Sequence, residues 1–488
     1  MPMNGTVRNH DLNPFLQPES VAVIGATERP GSWGAGIMER LRDSKYPGKI
    51  FPVNRHAESV YGLRAYPEVT SITDFVDLAI LIIPEDAVEE TIHACGKKGV
   101  RGITIITAGF GEATESGGER EKAMARVARS YGMRILGPNV SGTFNLSAQF
   151  NATRSHSKRL VATPLAGISQ GGYAFFDLLA AGDAREMGVG KFVHTGNECD
   201  LQVTDFLEHF GKDPHVEGII MYLETLRDGR RFMEVASRVT KEKPVVVHKA
   251  GRTEGGSRAA LSHTGALAGR GEVYQGAFHQ VNFVQSPTME LLLPLGHALI
   301  ERPPMRGKRV AIVTMGGSWG VALTDRIEGE GLRVPELGPA VQKRLRDLGM
   351  PERASTKNPV DMGASGFTQF SAESLVEMGR AALSSGEVDA LIFHGLGMAH
   401  MGEGKNFLGK SSVSQMERDV LAGYSGLQAE IGRPVMIGTA LSQWESPAVH
   451  DLHEAGIRVY HRLDEIACIL SLMYGYWRRR NLVHETPA

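Results

Sequence analysis

Of the residues in this chain that could do chemistry, His263 stands in the most unusual setting. Leu261-Ser262-His263-Thr264-Gly265-Ala266-Leu267-Ala268-Gly269 surrounds it with small residues and glycine, just after a second glycine-rich turn, Gly251-Arg252-Thr253-Glu254-Gly255-Gly256. A histidine packed in a core has no use for such freedom. An imidazole that accepts a group at one place and delivers it at another does, because glycine opens backbone conformations closed to other residues. His263 is therefore a candidate covalent carrier; taken alone, it also fits a histidine in a surface loop or at a helix start.

A second chemical pattern lies near the amino terminus. Val21-Ala22-Val23-Ile24-Gly25-Ala26-Thr27, followed by Pro30-Gly31-Ser32-Trp33-Gly34, puts glycines where a strand turns into a helix, so that backbone N–H groups and the helix dipole can meet a phosphate. The spacing departs from a strict G-x-G-x-x-G, and the acidic residue that would hold a ribose hydroxyl about twenty positions on is missing. Pro52-Val53-Asn54-Arg55 stands there instead, and Arg55 suits a phosphate better than a free ribose. Without a ligand the same glycines serve a tight turn. Thr107-Ala108-Gly109-Phe110-Gly111 and Gly137-Pro138-Asn139 also follow apolar runs, at the carboxyl ends of strands where such sheets bind ligands.

The elements that must position these residues alternate between short apolar runs and amphipathic stretches, the pattern of parallel sheets with crossover helices. Val21–Gly25, Leu78–Ile83, Gly102–Thr107 and Arg134–Gly137 form one series. Leu165–Ser169, Gly218–Tyr222 and Pro244–His248 form a second; after the linker Pro303–Gly307, Arg309–Thr314, Ala390–Phe393 and Pro434–Gly438 form a third. A chain of 488 residues suits about three such domains. The spacing predicts an α/β protein of three doubly wound domains. Their expected bounds are 1–146, 147–302 and 303–488.

Composition narrows the class. Apolar residues at 42% and charged residues at 22% are those of a soluble globular protein. A net charge of −2 gives no basic field for nucleic acid or an acidic membrane surface, and the apolar runs are too short to span a bilayer. Met1 to Leu12 lacks the apolar core of a signal peptide. Cys95, Cys199 and Cys468 are scattered, indicating neither a disulfide framework nor a cysteine zinc site. The expectation is a cytoplasmic protein with no metal held by this chain.

With its segments in order, the chain resembles the α subunit of the ADP-forming acyl-CoA synthetases, the acetate–CoA ligase group of the succinyl-CoA synthetase superfamily. Ala260 to Gly269 matches that family's phosphohistidine motif without a break, supported by Gly137-Pro138-Asn139, Gly196-Asn197-Glu198-Cys199-Asp200, Tyr222-Leu223-Glu224, Lys249-Ala250-Gly251-Arg252 and Asn358-Pro359-Val360-Asp361. The resemblance implies a Rossmann-like CoA-binding domain followed by two flavodoxin-like domains. It implies acyl-CoA + phosphate + ADP ⇌ acid + CoA + ATP, through an acyl phosphate and a phosphohistidine at His263, with Glu224 as the carboxylate paired to the histidine. CoA contacts would come from Gly25, Ala26, Thr27, Gly31, Gly34, Asn54, Arg55, Pro84, Thr107, Ala108, Gly109 and Asn139. Phosphate would sit where the turns at Ser169, Gly171 and Gly172 and at Gly363, Ala364 and Ser365 bring two helix ends together.

Three departures accompany the resemblance: Gly171 where the family commonly has serine, Val140 where many relatives have cysteine, and Trp319 where a small residue is usual. Trp319 either caps its helix against the core or shapes an acyl pocket. All three domains being assigned, none is left for an ATP-grasp domain of roughly two hundred residues, and no P-loop segment occurs. The implied partner is an ATP-grasp β subunit holding ADP or ATP with Mg, in an α2β2 assembly. Two other readings stay open at this point: a non-catalytic CoA- or acyl-CoA-binding protein of the same fold, and a Rossmann oxidoreductase.

Overall fold

The structure is a computed structural model that describes residues 11–154, 159–264, 270–363, 370–396 and 410–484. Among these, no helix is long and apolar enough to cross a membrane. The chain divides into two compact units, Met1–Ala180 with Gly188–Leu292, and Ala181–Met187 with Leu293–Ala488.

The first unit contains two sheets. In one, five parallel strands lie in the order Lys49–Val53, Ser20–Ile24, Leu78–Leu81, Gly102–Ile105, Arg134–Leu136. Ser20–Ile24 and Leu78–Leu81 are buried at every position, which is why they read as unbroken apolar runs. In the other, the order is Val284–Gln285, Val245–Lys249, Gly218–Leu223, Leu165–Ser169, Lys191–His194, then the antiparallel pair Gly142–Asn145 and Phe150–Thr153. One core, running from Val21 and Leu78 to Ile168 and Met221, is common to both sheets. The chain thus passes between sheets before Gly142. That strand falls within the stretch 1–146, yet it belongs to the second sheet.

The second unit holds one parallel sheet, in the order Val360–Asp361, Val310–Thr314, Ala390–His394, Val435–Gly438, Val459–Tyr460. Helix Leu292–Glu301, inside the stretch 147–302, groups with this unit apart from its first residue. In each sheet the first parallel strand lies between the second and the third, leaving a crevice at its carboxyl end.

Trp319, in the first turn of helix Gly317–Gly329, is 39% exposed, and its ring centre lies 4.9 Å from that of His394. It therefore does not close into the core. His394 ends its strand buried, and burial pushes its imidazole down to about 4 from 6.5. The unfolded chain takes up that proton below 6.5 while the native one refuses it to about 4, so this share of stability is present at neutral pH and lost on acidification. Between pH 7.5 and 4.5 we expect the unfolding transition of the wild type to lose about 2 kcal/mol relative to His394→Gln. Parallel pH slopes for the two chains in a thermal melt would contradict it.

Candidate active site

The carboxyl ends of the two sheets in the first unit face a shared cavity of about 850 Å³, a volume suited to a small-molecule site. From the first sheet come Trp33, Ile83, Pro84, Thr107 and Ala108; from the crossing segment, Asn139, Val140 and Ser141. The second sheet supplies Gln170, Gly171, Gly172, His194, Tyr222 and Glu224, with Ala250 and Gly251 beyond.

Each is placed by its strand. Ser169 pairs in register with both His194 and Tyr222, and Leu223 with Lys249, so one row of strand ends delivers these groups together. Tyr222 and Glu224 are two residues apart and so share a face. Their side chains are hydrogen-bonded, and the phenol is pushed up to about 12 by burial first and by the Glu224 charge next. Glu224 is only 6% exposed. The Gln170 carboxamide holds its backbone: Oε1 accepts from Glu224 N–H at 2.6 Å and Thr225 N–H at 2.9 Å, and Nε2 donates to Thr225 O and to Glu198 Oε1, both at 3.0 Å.

The turn over this floor has to be glycine. A Cβ on Gly171 would lie 2.8 Å from the Tyr222 ring, and one on Gly172 would lie 2.5 Å from Ser141 Oγ and 2.9 Å from the His194 ring. The serine usual in the family at Gly171 would run into Tyr222 here. His194 Nδ1 accepts from Ser141 N–H at 2.7 Å, which leaves Nε2 to donate to Gln170 O at 2.9 Å. Its two nitrogens are committed to the frame.

Of the residues singled out in the sequence, the cavity brings together Pro84, Thr107, Ala108, Asn139, Gly171, Gly172 and Glu224. Ser169 is buried beneath it, its hydroxyl donating to Gly171 O. Gly25, Ala26, Thr27, Gly31, Gly34, Asn54, Arg55 and Gly109 do not line it. Gly25 is glycine because a Cβ would sit 2.0 Å from Ile82 O, and Gly34 because a Cβ would sit 2.2 Å from Gly25 O. Asn54 ties two turns, donating to Ala26 O at 2.8 Å and accepting from His56 N–H at 2.8 Å. Arg55 is exposed. Gly109 gives its N–H to Glu112 Oε1 at 2.5 Å. Gly25 and Gly34 thus meet a packing demand whatever they bind, Gly31 stands at φ +77° with nothing within 4 Å of a Cβ, and Trp33 reaches the cavity from their turn.

The backbone of His263 lies in the last turn of helix Glu254–Thr264, not in a loop. Its side chain is outside the described residues, as are Gly265 to Gly269. In the second unit Gly363 follows Val360–Asp361 at φ +66°, its N–H donating to Asp361 Oδ1 at 2.9 Å; Ala364 and Ser365 are outside the described residues. Gln170, His194, Tyr222 and Glu198 have no role assigned in the sequence analysis above. The shared position at a strand end is the signal that would have found the first three, once strand order is known.

Residues 19–144 match the model of a CoA binding domain, and residues 162–299 that of a succinyl-CoA ligase like flavodoxin domain. The ADP-forming acetate–CoA ligase II subunit alpha of Pyrococcus furiosus is 41% identical over 354 residues, 72% of this chain and 76% of that one. The chain belongs to the ADP-forming acid–CoA ligase family. It is a ligase of the α-subunit type, a type whose name implies a partner subunit. The ADP-forming 4-hydroxybutyrate–CoA ligase of Nitrosopumilus maritimus is 33% identical over 365 residues, 73% of this chain but 51% of that longer one. Among solved structures, the dinucleotide forming acetyl-coenzyme A synthetase 1 of Ca. Korarchaeum cryptofilum, in complex with phosphate and ADP, superposes with a TM-score of 0.84 at 33% identity, covering 98% of this chain and 99% of that one. The oxidoreductase reading is thereby set aside.

Glu198, the far end of the Gln170 bridge, is pushed up to about 7 from 4.5 by burial, against hydrogen bonds from Gln170, Thr195 and Val203. The native state holds this proton more tightly than the unfolded chain, so its contribution is full below about 4.5 and is lost as pH rises through about 7. From pH 5 to 7.5 the wild type should lose about 2 kcal/mol relative to Glu198→Gln, read from denaturant midpoints of the first unit. A constant difference between the two would show that Glu198 does not titrate there.

Proposed function

We propose that this ligase turns acyl-CoA and phosphate into free acid, CoA and a phosphorylated His263, and that a separate subunit passes the phosphoryl group to ADP. The observation that carries the reading is the cavity itself. It puts Pro84, Thr107 and Ala108, at the edge of the CoA-binding sheet, opposite Gly171, Gly172 and Glu224, at the edge of the ligase sheet.

In the first step a phosphate oxygen attacks the thioester carbon and the CoA thiolate leaves, giving an acyl phosphate. The His263 imidazole then attacks phosphorus, and the carboxylate departs with the bridging oxygen. Glu224 accepts a hydrogen bond from the opposite ring nitrogen, fixing the tautomer and stabilising the charged ring. Phosphoryl transfer asks mainly for position and positive electrostatics around the moving group. The helix start after Gly171-Gly172 supports such a role. We assign the other half of the reaction to an ATP-grasp β subunit with Mg and ADP or ATP, in an α2β2 assembly in the cytoplasm. The longer relative, of which this chain matches 51%, supports the division. Relatives named for acetate, 4-hydroxybutyrate and trans-ferulate leave the acid defined only as a carboxylic acid.

Incubation with acyl-CoA and labelled phosphate should leave acid-labile, base-stable label on the chain, absent from His263→Asn. Glu224→Gln should keep the fold and slow labelling by about 10²-fold, because an amide cannot stabilise a cationic imidazole. Labelling of His263→Asn, or an unchanged rate in Glu224→Gln, would remove the respective role. In the same mixture with ADP, the purified chain should form no ATP until an ATP-grasp subunit is added. Robust ATP turnover by the chain alone would refute the division between two subunits.

A further inference from the structure

Lys249 ends the strand Val245–Lys249, beside Leu223 in the sheet register. It is 4% exposed, an unusual place for a lysine. An ammonium has three donors and no acceptor. Here Nζ donates to Glu224 O at 2.7 Å and to Ala250 O at 2.5 Å, and lies 4.5 Å from the centre of the Tyr274 ring. Two carbonyls and an aromatic face thus occupy it, and it does not line the cavity. It is built to hold other groups in place.

What it holds is specific. On the N–H side Glu224 is fixed by Gln170 Oε1; on the carbonyl side it is fixed by Lys249. The second carbonyl belongs to Ala250, just before Gly251 at φ +68° and the helix Glu254–Thr264 that carries His263. We propose that Lys249 is the positioning residue of the Glu224–His263 pair, tying the strand end that presents the carboxylate to the turn from which the histidine's helix starts and setting a positive charge beside Glu224. This rests on the reading of those two residues given above.

The charge is in reach of titration. Burial pushes Lys249 down to about 8 from 10.5, the Glu224 charge opposes that shift, and Arg252 adds to it. The groups facing it are Glu224 from the neighbouring strand, Arg252 from its own turn and Tyr274 from helix Gly271–Gln280; Tyr222 and His248 pair on the opposite face of the sheet. Glu198, joined through Gln170, titrates on the acid side near 7, burial lowers the neighbouring His248 from its ordinary value, and Tyr222 stays protonated to about 12. An alkaline limb near pH 8 therefore reports Lys249.

The test is the rate of labelling of the full chain by acyl-CoA and labelled phosphate, from pH 6 to 10, in wild type, Lys249→Met and Lys249→Arg, with thermal melts to establish folding. The wild type should slow as pH passes about 8, Lys249→Met should be slower by tenfold or more at pH 7 with that limb gone, and Lys249→Arg, charged throughout, should recover most of the rate with the limb moved beyond pH 10. A Lys249→Met chain that labels at the wild-type rate with its alkaline limb intact overturns the proposal. So does a lower melting temperature in both variants with an unchanged limb in the wild-type position. If Lys249→Met does not fold, the wild-type limb and its displacement in Lys249→Arg decide. Absence of label from the wild type, or label persisting in His263→Asn, instead overturns the underlying pair, and the positioning role falls with it.

Discussion

The side chain and backbone of Gln170 are the joint on which the site depends. Its backbone N–H donates to Tyr222 O at 3.1 Å, its carbonyl accepts from His194 Nε2 at 2.9 Å, and its carboxamide makes four more bonds to Glu224, Thr225 and Glu198. One residue thereby pins the ends of three neighbouring strands. A buried amide with every donor and acceptor used stabilises its surroundings; remove it, and several backbone groups lose partners at once, at roughly 1–3 kcal/mol each. The Glu224 carboxylate can keep a fixed place because this frame beneath it does not give.

The same frame accounts for the glycines above it. Tyr222, Ser141 and His194 rise so close to the turn that positions 171 and 172 have no room for a Cβ. The ring of Tyr222 that crowds the turn at Gly171 belongs to the same strand end that presents Glu224. The backbone left bare there offers N–H groups at a helix start in place of a side chain.

Much of this is legible in the sequence because fully buried parallel strands leave continuous apolar runs; the strands Ser20–Ile24, Leu78–Leu81, Leu165–Ser169 and Val310–Thr314 lie within a residue or two of such runs. Lys49–Val53 escaped because it is an edge strand that begins with lysine and contains Pro52, and Lys191–His194 because it has only two apolar residues between polar ends. Residues at the strand ends, such as Glu224 and the 171–172 turn, could be found, since apolar runs mark where strands stop. His194 could not, because its nearness to Gln170 follows from sheet order, which the linear pattern does not carry. The glycines at 25 and 34 carry a packing demand that the linear pattern does not show. A glycine required by a neighbouring carbonyl looks, in sequence, the same as one required by a phosphate.

The helix of His263 shows how the two halves of the site differ in kind. Sequence suggested a loop freed by glycine, whereas Gly255 and Gly256 lie in the first turn of a helix capped by Thr253, whose Oγ1 accepts from Gly256 N–H at 3.1 Å. Two glycines cost a helix about 2 kcal/mol relative to alanine, and none of residues 254–259 is buried, so packing returns little of it. The part of this helix described with its side chains, residues 254–259, draws on few of the interactions that make the Glu224 strand end rigid. Low local stability is the property expected of an element that has to change position, and high stability that of one that has to receive it. His263, the proposed carrier, stands on the first and Glu224, its proposed hydrogen-bond partner, on the second, and Ala250, held by Lys249, is where the rigid part ends and the weakly held part starts.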